Sequence, residues 1–102
     1  LQVEMVDGST TSGFITTSIT KTNLRDRWAH IAFVRQGTSF KLYVDGTLAG
    51  SVTYSASFFI YSTLTIGKLP GGGNYYRGHI DELRISDSAV YTANFTPPTS
   101  PF

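Results

Sequence analysis

The chain contains no cysteine, which excludes a disulfide scaffold, thiolate catalysis and cysteine-ligated zinc or iron–sulfur sites. It has little net charge: eight Lys and Arg stand against seven Asp and Glu, a formal charge of +1. The basic residues are scattered from Lys21 to Arg84, so the electrostatic footprint of nucleic-acid binding is missing. Long hydrophobic runs are absent too. The longest, around Ser57–Tyr61, falls far short of the roughly 20 residues that a membrane-spanning helix needs. No basic stretch followed by an apolar one opens the chain, so no signal peptide is read, and Leu1 in place of Met suggests that residue 1 is not a first codon.

Ala, Leu and Glu are sparse, whereas Ser and Thr number 25, Tyr 6 and Phe 7. Such a chain, punctuated by 10 Gly, favours strands over helices. Its 102 residues suffice for one domain, in which roughly 65% of the unfolded surface is buried. No repeat of solenoid or propeller period is present.

Leu1–Val6 alternates apolar and polar residues and meets Asp7-Gly8, a tight-turn dipeptide. Phe14–Ile19 is expected to return as a second strand, and Thr20–Asn23 with Arg25-Asp26 to form a polar loop. Trp28–Arg35 is nearly continuously apolar and reads as a central strand covered on both sides. Phe40, Leu42 and Val44 alternate with Lys41 and Tyr43, and Asp45-Gly46 then turns the chain, so residues 39–52 read as a hairpin. Strands are also expected at Tyr61–Gly67 and Arg77–Ser86, separated by an exposed loop that begins at Pro70. One helical turn is expected at Asp87–Tyr91. Pro97, Pro98 and Pro101 forbid further regular pairing. These signals predict an all-β fold, an antiparallel β-sandwich.

Five segments in order carry a resemblance: Arg27–Arg35, Leu42–Gly46, Ile66-Gly67, Gly78–Ser86 and Tyr91–Pro98. Together they resemble the C-terminal half of a laminin G-like domain. More narrowly, they are similar to the concanavalin A-like (lectin/glucanase type) jelly rolls of bacteriophage virion and bacterial surface proteins. Members of that family usually run to nearly twice this length. The resemblance therefore implies that residues 1–95 are a C-terminal portion of a jelly roll and 96–102 an extended, Pro-rich exit. The expectation is an excerpt of a longer virion polypeptide, with completion by another subunit as the alternative.

Catalysis finds little support. Asp81 and Glu82 are adjacent and would face opposite sides of a strand, so they cannot flank one glycosidic bond; pairing with Arg84, Arg77 or Arg35 is the plainer reading. His30 lacks a nucleophile motif and reads as a packed, hydrogen-bonded core residue. A two-histidine metal site with His79 is not carried forward. Calcium is implied by the related domains alone, with Asp7 and Asp45 as its candidates. Asp26 and Asp87 also sit near turns, and turn formation explains all four. Asn74, Tyr75 and Tyr76 follow three glycines and combine a polar amide with two aromatic faces, which suits sugar stacking or a subunit contact.

The resulting expectation is a non-catalytic virion structural module, decorating or assembling a capsid or tail. It would be homo-oligomeric, in contact with other virion subunits, and without nucleic acid, membrane or obligatory cofactor. The alternative is an adhesin module that binds a cell-surface glycan, placed extracellularly or on a bacterial surface.

Overall fold

The computed structural model describes residues 1–6, 11–55, 64–68 and 72–101. Strand β1 (Gln2–Val6) pairs antiparallel with β2 (Thr11–Thr16), a short helix α1 (Lys21–Leu24) follows, and β3 (Ile31–Gln36), β4 (Ser39–Val44) and β5 (Thr47–Thr53) form a meander. Among the described residues these form two antiparallel sheets, of order β1-β2 and β3-β4-β5.

The alternation in β4 explains how the sheets stack. Phe40, Leu42 and Val44 share one face and are buried; Phe40 and Leu42 cluster with Met5 of β1 and Ile15 of β2, with Val3, Val52 and Tyr54 at the margin. Each such side chain contributes roughly 1.5–3 kcal/mol by leaving water. Gly50 lets the layers approach, because a Cβ there would lie 2.7 Å from Ile15 Cγ2. A bulge beside it pairs Leu42 with Gly50 but Tyr43 with Leu48, so one extra residue bends β5.

The opposite face of β4 is covered by the C-terminal segment. Tyr43 is buried and meets the Phe95 ring edge-on at 5.6 Å. Phe95 stacks on Tyr91, the Lys41 ammonium donates to the Thr92 carbonyl at 2.9 Å, and the Leu48 N–H donates to Asn94 Oδ1 at 2.9 Å. At the hairpin turn Asp45 (φ 50°) and Gly46 (φ 78°) both lie in the left-handed region, as the favoured two-residue turn demands. The Phe95 N–H donates to the Gly46 carbonyl at 2.9 Å, which ties the exit to that turn.

Several expectations need correction. The strand covered on both faces is β4. Expected in that role, β3 is an outer strand of its sheet among the described residues and starts only at Ile31, leaving Trp28, Ile31 and Phe33 exposed. Just before β3 the His30 N–H donates to the Asp45 carboxylate instead of to a strand partner, and the Arg27 guanidinium is held by the Asn23 and Trp28 carbonyls and by Asp45. Strand β2 ends at Thr16 rather than Ile19, because the Thr17 N–H and hydroxyl both donate to the Leu1 carbonyl and the Ile19 N–H turns back to the Thr17 hydroxyl. The expected polar loop of Thr20–Asn23 with Arg25-Asp26 is interrupted by α1, whose start is fixed by Asn23 Oδ1 accepting from the Thr20 N–H and hydroxyl.

Neither 64–66 nor 77–86 forms a strand, and 87–91 forms no helix. Glu82 has a φ of 51°, with its N–H bound by the Asp81 carboxylate. A left-handed residue interrupts any extended run there. Tyr61–Thr63, the rest of the expected strand before Gly67, lies outside the described residues, as does Asp7-Gly8.

Candidate ligand-binding surface

The loop singled out in the sequence is pinned at its base. Lys68 bridges antiparallel to Tyr75, and the Tyr76 N–H donates to the Gly67 carbonyl at 2.8 Å. Gly67 supplies the turn with a φ of 74°, which costs glycine little. These bonds bring together all three residues expected to act, Asn74, Tyr75 and Tyr76, around an open depression of about 390 Å³ whose lining is completed by Gly67, Lys68 and Ile80. Tyr75 is 67% and Tyr76 59% exposed, so both rings lie largely in water. The Lys68 ammonium sits 5.7 Å from the centre of the Tyr75 ring, within cation–π range.

Sequence reasoning did not single out Lys68, although it lies two positions before the loop. It also missed a wider groove of about 990 Å³, which shares Tyr76 and Ile80 with the depression and runs between β3 and residues 79–88. Trp28 stands at this groove, exposed and tilted against His79 at 6.4 Å between ring centres. Its place in an apolar run hid it, since the run suggested burial.

His30 does pack as expected, edge-on to Tyr91 at 5.9 Å and Phe95 at 5.4 Å. The expected hydrogen bonding of its ring is not fully met, because the buried Nδ1 has no partner among the described residues. His79 lies against Trp28.

The carboxylate of Asp45 is engaged on both oxygens: Oδ1 accepts the His30 N–H at 2.9 Å and Oδ2 meets Arg27 at 2.8 Å. Partial burial alone would raise its pKa. The His30 hydrogen bond and the bonded, positively charged Arg27 outweigh burial and hold the carboxyl below its ordinary value of 3.8. Asp45 thus joins α1 and the start of β3 to the hairpin turn. Asp7, the other calcium candidate, lies outside the described residues. Among the described residues no three His, Asp or Glu side chains cluster as a metal site would require.

No curated protein and no solved structure matches the chain. The laminin G-like family model described as the concanavalin A-like lectin/glucanases superfamily matches residues 1–94. That match spans the hairpins, the meander and the C-terminal segment docked on it, so the chain belongs to the laminin G-like family of the concanavalin A-like superfamily.

Proposed function

We propose that this chain is a non-catalytic glycan-binding module, with the depression lined by Lys68, Asn74, Tyr75 and Tyr76 as its contact surface. The observation that carries the reading is the pair of exposed rings, Tyr75 and Tyr76, held beside Asn74 and Lys68. Apolar faces of a sugar ring stack on tyrosine, while an amide and an ammonium select hydroxyl or carboxylate groups. Membership in a superfamily whose description includes lectins is compatible with this role. The resemblance to phage and bacterial surface jelly rolls suggests a cell-surface glycan as target and a virion or extracellular setting. No metal is needed for stacking, and Asp45 is already committed to Arg27 and His30.

A glycan array probed with the wild-type chain and with Tyr75→Ala tests the proposal. Specific binding that weakens roughly fivefold or more in the variant supports it, since loss of one stacking face removes about 1 kcal/mol or more. A blank array, or binding unchanged in Tyr75→Ala, overturns it.

A second reading, assembly within a virion, is favoured by a separate observation: among the described residues β3 is an outer strand with exposed apolar neighbours. Recovery of the chain as a stoichiometric component of purified particles would support that role.

A further inference from the structure

The depression at Lys68 carries charge of one sign. Its lining is Gly67, Lys68, Asn74, Tyr75, Tyr76 and Ile80, so among the described residues it holds one ammonium and no carboxylate. Asp81 and Glu82 follow Ile80 directly but line the wider groove, where the Asp81 carboxylate accepts the Glu82 N–H at 2.8 Å. Among the described residues Lys68 forms no salt bridge. Its ammonium rests against the Tyr75 ring instead, 5.7 Å from the ring centre, and an exposed contact of that kind is weak. The charge is thus positioned at the aromatic surface without being neutralised there.

Position and sign together define a ligand chemistry. A pyranose stacked on Tyr75 directs its ring substituents outward, toward the rim where the ammonium sits. A carboxylate among them would exchange the weak ring contact for a charge-assisted hydrogen bond, roughly twice as strong as a neutral one. The Asn74 amide, donor and acceptor at once, suits neighbouring hydroxyls. Lysine is a compact point charge, matched to one carboxylate. Densely sulfated chains are held by runs of Lys and Arg, whereas this lining has no second cation among the described residues.

We propose that the depression selects an acidic sugar, a pyranose bearing one carboxylate, and that Lys68 sets this preference; the proposal rests on the glycan-binding reading and narrows it. The tyrosines supply affinity for any sugar with an apolar face, and the ammonium discriminates among such sugars by charge. Because Lys68 is exposed, the discrimination is modest and sensitive to salt.

Titration calorimetry of the 102-residue chain with uronic-acid and sialic-acid oligosaccharides, each paired with its carboxyl-reduced counterpart, tests the assignment. At low salt at least one acidic member should bind roughly fivefold or more tighter than its reduced partner. That preference should shrink as salt rises from about 0.05 M to about 0.5 M. Lys68→Met should remove it and Lys68→Arg should retain it. Equal affinity within every pair, or a preference that survives Lys68→Met, overturns the proposal. Equal affinity that still falls in Tyr75→Ala refutes the acidic specificity and leaves glycan binding standing. If no member binds, acidic or reduced, the acidic assignment is overturned, and the glycan array decides the broader reading separately.

Discussion

Replacing Gly46 by alanine tests whether the C-terminal segment is an integral part of the fold. At this position a Cβ would fall 1.8 Å from the Phe95 carbonyl oxygen and 2.9 Å from its carbon, with Pro97 Cδ at 3.1 Å. The first distance is far inside any contact that a real Cβ makes, and its partner is backbone, so the segment must move. Moving it sacrifices the Phe95 N–H bond to Gly46, worth about 0.5–1.5 kcal/mol, and loosens the Phe95 ring from Tyr43 and His30, worth about 0.5–1.5 kcal/mol per aromatic pair beyond area. A left-handed φ adds about 1–2 kcal/mol for a residue with a Cβ. The expected total is about 3–5 kcal/mol, a large share of the 5–15 kcal/mol typical of a domain. Gly37→Ala is the internal control: its φ of 59° imposes the same backbone cost, but nothing among the described residues lies within 4 Å of the added carbon. Urea unfolding followed by far-ultraviolet circular dichroism measures both variants. Gly46→Ala should be less stable than Gly37→Ala by about 2 kcal/mol or more, and limited proteolysis should cut first near residues 91–97. If the two variants agree within about 0.5 kcal/mol, the docking of the exit on the hairpin contributes nothing, and the reasoning fails.

Two further expectations address the layers and the turn. Gly50→Ala places a methyl group 2.7 Å from Ile15 Cγ2 and 3.3 Å from Thr17 Cγ2; overpacking this junction should lower the urea midpoint by the equivalent of about 1–3 kcal/mol, and an unchanged midpoint would mean the sheets are not in close apposition there. The lowered pKa of Asp45 means that its ionised form stabilises the fold fully above the unfolded-state value, and that this contribution is lost as pH falls through the folded-state value. Because both partners of the pair with Arg27 are 42% exposed, the effect should not exceed about 1 kcal/mol. Asp45→Asn, which keeps a residue tolerant of the left-handed turn, should therefore be slightly less stable than wild type at neutral pH and converge with it in acid. A gap that widens on acidification would contradict the assignment.

Much of the meander was legible from local chemistry. The alternation Phe40-Lys41-Leu42-Tyr43-Val44 followed by Asp45-Gly46 specifies a hairpin, because the side-chain period of two and the left-handed preference of the turn dipeptide act within a few residues. The cluster of Asn74, Tyr75 and Tyr76 was likewise visible, since glycines and exposed aromatics mark a loop whatever surrounds it. Arg77–Ser86 shows the limit of such reasoning: its interleaved Ile80, Leu83 and Ile85 suit a strand, yet a strand needs a partner ladder, and the left-handed Glu82 breaks the run. The same limit applies to Trp28–Arg35. Hydrophobicity identified that run as strand-like, but an apolar residue is buried only where another element covers it.

The sequence by itself determined the all-β class, the β4–β5 hairpin and the exposed tyrosines, because turn preference and side-chain alternation are properties of short segments. Tertiary structure decided that β4, not β3, is covered on both faces, that Arg27, Asp45 and His30 join around the turn, and that Phe95 reaches Gly46 across 49 positions. Those outcomes depend on which distant segments meet, and long-range packing, not local propensity, selects them.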